Sequence, residues 1–266
     1  MKTKVYTIGN FSGWRNELHG KLSKNFEFDD PRNHSQSSIA RLVTDDMASA
    51  MNCPVSLIYT PKGKRVGTMS YAELGASWAR GNFIISVDEN FPSEDIISKV
   101  SDYNFENFSE ATDFLNNSKW ERGERMKSRD RTKSREPYRS VLFAGNLEKF
   151  SGLVGRITLK KKNSLLDPDP DYFEAVHDQV DLIIANFDGE HDPKGLFYMG
   201  VSYALKIPVI MVEGNSVPYP PLLGLARRVM VGEKRLEQLE YYLENLKSQH
   251  VSDEALVYYD LMRKFN

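Results

Sequence analysis

One cysteine, Cys53, stands in 266 residues. A single thiol excludes an internal disulfide framework and a multi-cysteine zinc site, and it fits a reducing compartment. No apolar run approaches the length of a membrane span. The opening MKTKVYTIGN is charged and then passes into a short strand-like run, unlike a leader peptide. A cytoplasmic protein that avoids membranes is expected. An excess of charge of one sign is also missing. Lys and Arg number 35 against 37 Asp and Glu, leaving a net charge of −2 and a pI of about 6.2. That balance gives no global attraction to nucleic acid or to an anionic membrane.

Familiar site motifs are missing as well. There is no phosphate-binding P-loop and no G-x-S-x-G hydrolase elbow. Four of the five histidines (His19, His34, His177 and His250) stand apart from any metal-ligand spacing. The fifth, His191, lies in DGEHDPKG (188–195), beside Asp188, Glu190 and Asp192. That segment reads as a solvated, turn-forming loop before it reads as a metal site. Neither metal nor cofactor is expected.

What is present is ordinary globular material, 40% hydrophobic and 27% charged, enough for a substantial core. It is arranged twice. VYTIGN (5–10) matches VLFAGN (141–146), VSLIYTPKG (55–63) matches VDLIIANFDG (180–189), and ELGASWARGNFIISV (73–87) matches YMGVSYALKIPVIMV (198–212). Gly75 and Gly200 hold the same place in the third pair. Order and spacing together argue for an internal duplication. The expected organisation is a first domain at 1–117, a charged linker at 118–137 and a second domain at 138–266. The linker is basic but carries Glu121, Glu124, Asp130 and Glu136, so it reads as solvated chain rather than as a nucleic-acid contact. The tail helix over 233–249 has apolar positions at helical spacing (Leu236, Leu239, Tyr242, Leu243, Leu246), a packing pattern.

Strands alternating with helices predict an α/β protein: two tandem Rossmann-like, flavodoxin-like three-layer domains with mainly parallel sheets. Fully apolar strands such as FIISV and IPVIMV belong mid-sheet, covered on both faces. Ligands of such folds bind beyond the carboxyl ends of the strands. Gly9-Asn10, Thr60 and the loop 61–69 converge there.

Two carboxylates stand out. Ser70-Tyr71-Ala72-Glu73 matches a capping box, with Ser70 capping a helix and Glu73 reaching back to it. Read alone, Glu73 is a cap. Asp46 changes the balance. In a helix over 37–51, Ile39, Leu42, Val43 and Ala50 form one apolar stripe and Asp46 falls inside it, while Asp45 faces outward near Arg41. A lone inward carboxylate needs hydrogen bonds or a function. Two carboxylates at a strand-edge cleft suit substitution at an acetal-like carbon, one as nucleophile and one handling the proton. The second half is an internal control. Tyr198 stands where Glu73 stands, and a helix over 171–179 directs Tyr172, Ala175 and Val176 inward and Glu174 and Asp178 outward.

VYTIGNFSGW, a helix bearing Asp46, VSLIY and GTMSYAELGASWARGNFIISV together resemble the nucleoside 2-deoxyribosyltransferase-like superfamily, over residues 4–115, with a degenerate copy over 139–232. The resemblance implies that Glu73 attacks the anomeric carbon, that Asp46 handles the base or its proton, and that Tyr6 holds the nucleophile. The Gly67–Glu73 spacing is longer than in the family, and Pro54 or Val55 stands where an Asp usually opens the third strand. Family members commonly pair subunits to complete each site; a homo-oligomer, or a pseudo-dimer within this chain, is the corresponding expectation.

Around these residues, Gly9, Asn10, Phe11, Ser12, Trp14, Arg15, Gly67 and Thr68 are candidate substrate contacts. Backbone N–H groups at a helix start with Arg15 just inside suit a phosphate. Phe11 and Trp14 either stack on a base or pack the first helix. The expected partner is a nucleoside or nucleotide, NAD-type nucleotides included. Two functions follow: an enzyme cleaving or transferring an N-glycosidic bond, or a nucleotide-binding protein that senses or sequesters without turnover.

Overall fold

The computed structural model describes residues 2–11, 13–22, 24–90, 95–117, 140–145, 151, 164–166, 169–187, 192–214 and 219–245. The charged linker, Ser12, Asn146, residues 188–191 and Leu246 lie outside the described residues.

The first half runs β1 (Thr3–Gly9), α1 (Trp14–Leu22), β2 (Phe26–Asp29), a 3-10 turn (Pro31–Asn33), α2 (Ile39–Asn52), β3 (Val55–Thr60), α3 (Thr68–Ala79), β4 (Phe83–Asp88), α4 (Asp95–Val100), β5 (Tyr103–Phe105) and α5 (Phe108–Asn117). The second runs β6 (Ser140–Gly145), β7 (Ser164–Leu166), α6 (Pro170–Val176), a 3-10 turn (His177–Gln179), β8 (Leu182–Phe187), α7 (Pro193–Leu205), β9 (Val209–Glu213), α8 (Pro220–Leu223), β10 (Arg228–Val231) and α9 (Arg235–Asn245). Each half builds a five-stranded sheet, ordered β2-β1-β3-β4-β5 and β7-β6-β8-β9-β10. All pairings are parallel. Both sheets thus have the flavodoxin-like order, with the switch point between the first and third strands. The duplication read from sequence is a duplication of topology.

Burial explains the strand sequences. Val5, Val55, Leu57, Ile85 and Val87 face α1 and α5, with Leu18, Leu22 and Leu115 above them. Tyr6, Ile8, Ile58 and Ile84 face the other way, into a core shared with Leu142, Ile183, Ala185 and Met211 of the second half. On the far side, Val141, Phe143, Leu182, Ile184 and Val212 pack beneath Leu239 and Leu243 of α9. No helix among the described residues is long and apolar enough to cross a membrane.

The halves meet through α3 and α7. A Cβ on Gly75 would overlap the carbonyl oxygen of Phe197, and a Cβ on Gly200 would overlap that of Ala72. The contact is reciprocal, residue for residue, so the chain pairs its two halves as a dimer pairs two subunits. Only glycine lets the two helix backbones approach this closely.

Three local expectations are corrected. The helix carrying Glu73 begins at Thr68 with Gly67 as N-cap and no side-chain cap. Ser70 lies inside the helix and is buried, so the capping box does not form. Ile39 begins α2 and is exposed rather than part of the stripe. Asp169 caps α6 and Pro170 opens it. Packing turns Pro170 and Phe173 inward, so Tyr172 and Ala175 lie exposed rather than inward.

Candidate functional site

Tyr6, Asp46 and Glu73 come from three elements that meet on the inner face of the first sheet. Tyr6 is on β1, three residues before the strand ends at Gly9. Asp46 points inward from α2 as its place in the apolar stripe required, and is 6% exposed. Glu73 lies in the second turn of α3, also 6% exposed. Burial lifts the Glu73 carboxyl to about 8, with the Asp46 charge adding to the rise; Arg15 and the Tyr6 hydroxyl pull it back. Burial likewise raises Asp46, against the pull of His34. The Tyr6 phenol is raised well above its ordinary value by burial, then by Glu73 and Asp46. Its hydroxyl faces Glu73 but makes no completed hydrogen bond.

Behind Asp46 stands a residue that the sequence reading passed over. His34 Nδ1 lies 2.6 Å from Asp46 Oδ1, and its Nε2 lies 2.7 Å from Asp29 Oδ1. Ser49 Oγ donates to Asp29 Oδ2 at 2.9 Å. The Cys53 thiol also points at Asp29, 3.7 Å away; burial pushes it up to about 12, so it stays a thiol. The rings of Tyr6 and His34 are stacked at 6.2 Å with 3° between planes. FEFDDPRNHS carries no motif that marks Asp29 or His34. The chain turns at Pro31, where Asp30 accepts from the Arg32 N–H at 3.0 Å. That turn brings His34 back over the end of β2.

The candidate substrate contacts separate into several groups. Arg15 is fully buried. Its Nε donates to Thr7 Oγ1 at 3.1 Å, its Nη2 to the carbonyls of Thr7 and Gly9 at 3.0 Å each, and its Nη1 to the carbonyl of Asn10. Asp30 Oδ1 lies 3.6 Å away. Burial lowers the Arg15 pKa, and Asp30 opposes that. The guanidinium is a strut for the β1 exit, not a phosphate hook. Trp14 is likewise internal, edge-on to Tyr59 at 5.0 Å and to Phe108 at 6.4 Å, with Nε1 donating to the Asn10 carbonyl at 3.1 Å. It packs the first helix. Phe11 is 62% exposed and free to meet a ligand. Gly9 has φ of 134°, and a Cβ there would lie 2.7 Å from the Tyr59 carbonyl oxygen, so the loop needs glycine for its backbone. Gly67 and Thr68 open α3, about 7.5 Å along the axis before Glu73. Among the described residues no group of acids, histidines and cysteine is arranged to hold a metal ion.

Strand register allows the same layer to be read in the second half. Gly9 pairs with Tyr59 and Gly145 with Asn186, both glycines having positive φ, so Tyr6 corresponds to Leu142. Tyr6 pairs with Asp29 where Leu142 pairs with Leu166. Tyr198 takes the place of Glu73 and packs on Phe173 at 5.2 Å. Every polar member of the first layer that register can locate is apolar or aromatic in the second.

No family model matches the chain, and no curated protein does. Solved structures resemble it at low similarity, two of them being these. One is an alpha-glucosyltransferase in complex with UDP and a 13-mer DNA, at 8% identity and TM-score 0.31, covering 98% of this chain and 95% of the other. The other is a D-lactate dehydrogenase from Sporolactobacillus sp., at 9% identity and TM-score 0.24, covering 99% and 96%. Scores this low bear on neither activity nor ligand.

Proposed function

We propose that this chain cleaves or transfers the N-glycosidic bond of a nucleoside, nucleotide or related metabolite, with Glu73 as nucleophile. The observation that supports it is the one-sided duplication. The second half builds the same sheet and helix layer with Leu142, Leu166 and Tyr198, so the fold does not require Tyr6, Asp29 or Glu73. Burying Tyr6 and Glu73 is unfavourable without a purpose.

In this reading the Glu73 carboxylate attacks the anomeric carbon as the bond to the base nitrogen breaks. The bonding pair leaves with the base, which takes a proton handled by Asp46. Water or a second base then displaces Glu73. The Tyr6 hydroxyl is the donor available to the carboxylate. Attack needs ionised Glu73, so the rate rises as pH climbs toward about 8. Phe11 offers a ring for a base, and the first residues of α3 offer backbone N–H groups for a phosphate or sugar hydroxyl.

The second reading, nucleotide binding without turnover, is favoured by the burial of Glu73, which keeps it protonated at neutral pH. Chromatography for free base separates the two. The wild type and Glu73→Gln are incubated with nucleosides, nucleoside monophosphates and NAD. Base released by the wild type alone supports the enzyme. No release at high protein concentration, with a ligand-induced rise in Tm, supports the binding protein.

A further inference from the structure

We infer that His34 is a positioning residue: as an imidazolium bridging Asp29 and Asp46, it holds the Asp46 carboxylate ionised and fixed beside Glu73. This rests on the proposed glycosidic chemistry. Both ring nitrogens lie within hydrogen-bond distance of a carboxylate oxygen, at 2.6 and 2.7 Å. A neutral imidazole has one N–H, and two carboxylates require two. The ring is the strongest base of the three by more than two pH units in water, so the proton belongs to it. Both lengths are those of charge-assisted bonds.

The surroundings agree. Asp29 is anchored by Ser49, so it cannot turn away from the ring, and the parallel Tyr6 ring covers one face. The titratable groups facing the bridge are Asp29 from β2, Tyr6 from β1, Asp45 and Asp46 from α2, Cys53 at the end of α2 and Glu73 from α3. Arg15 from α1 adds a positive charge that acts on Tyr6 and Glu73; the other groups around the ring are neutral or negative. Burial alone would lower the His34 pKa; the hydrogen bonds to Asp29 and Asp46 outweigh it and leave the pKa raised. Asp46 carries the opposite balance, raised by burial and drawn down by His34. Take the ring's charge away, and Asp46 competes with Glu73 for protons to a higher pH. The bridge therefore sets where the carboxyl pair titrates. It also holds, on Nδ1, the proton that Asp46 passes to the leaving base as the bond breaks.

Long-range proton–nitrogen NMR of protein with labelled histidine tests the bridge without substrate, with His34→Gln assigning the signal. Both His34 nitrogens protonated at pH 7 is the expected result. A neutral ring, with the proton on Asp46, overturns the inference even if the wild type is an active enzyme. The pH profile of base release then reads the positioning role. Removing the charge in His34→Gln should shift the pH profile of base release, because the Asp46 carboxyl loses the opposite charge 2.6 Å away and holds a proton to higher pH. A uniform loss at every pH with the profile unshifted marks a merely structural residue and overturns the role. An imidazolium in a wild type that releases no base from any substrate sinks the glycosidic reading instead.

Discussion

Glu73 and Tyr198 hold the same position in two copies of one helix. Each lies five residues after the helix begins (68 to 73, 193 to 198) and two before the glycine at which the helices cross. One copy buries a carboxyl there and the other an aromatic ring, with the same sheet beneath. The carboxyl therefore works against stability rather than for it.

That has a pH signature. The Glu73 pKa rises from 4.5 to about 8 on folding. Across that window the native state keeps a proton that the unfolded chain has lost, so stability is greatest below 4.5 and falls as pH climbs to 8. At pH 8 the loss from this group is on the order of 3–5 kcal/mol. Glu73→Gln removes it. Urea unfolding should find the variant more stable than the wild type at pH 8 and nearly equal at pH 5. Equal pH slopes for the two proteins would refute the buried, protonated carboxyl.

Gly200→Ala tests the union of the halves. The added methyl meets the Ala72 carbonyl, a backbone atom with no rotamer to escape into. Overpacking of this kind costs about 1–3 kcal/mol, and more where backbone must move. The substitution lies in the second half, yet it displaces the residue before Glu73. Both stability and any base release should fall. Gly200→Ala with wild-type denaturation midpoint and turnover would mean that the helices do not cross here.

Arg15→Lys separates strut from hook. Lysine cannot serve three backbone carbonyls and Thr7 Oγ1 from one fixed fork. The ligand-free protein should lose about 2–4 kcal/mol, since buried carbonyls are left unpaired. A phosphate hook would leave the free protein's Tm unchanged and weaken only nucleotide binding.

Phe11 and Trp14 should respond in opposite senses. Trp14→Ala opens the layer shared with Tyr59 and Phe108 and should cost about 3–5 kcal/mol. Phe11→Ala removes an exposed ring and should stay within about 0.5 kcal/mol. A Phe11 effect, if the ring stacks on a base, appears in ligand Kd by titration calorimetry. An unchanged Kd would remove Phe11 from the site.

Much of this was legible in the chain. Gly75 and Gly200 were matched as a pair because repeats keep their spacing. Asp46 was placed inward by helical phase alone, and the second half's lack of a carboxylate at 198 was visible by eye. Phase failed on α6, where the second half's packing takes Phe173 inward and leaves Tyr172 exposed. A motif match failed at Ser70, because Gly67 already caps the helix. Arg15 looked like a phosphate ligand in sequence, where its neighbours in space cannot be seen.

The sequence by itself determined the duplication, the parallel α/β layers and the inward place of Asp46. Periodicity and repeat spacing are local properties of the chain, and burial follows from them. Tertiary structure alone decided that Asp29 and His34 stand behind Asp46, and that Arg15 and Trp14 are buried against the loop after β1. Those partnerships join β1, β2, α1 and α2 across many residues. No spacing rule encodes them, because what sets them is the turn at Pro31 and the hydrogen-bond needs of buried polar groups.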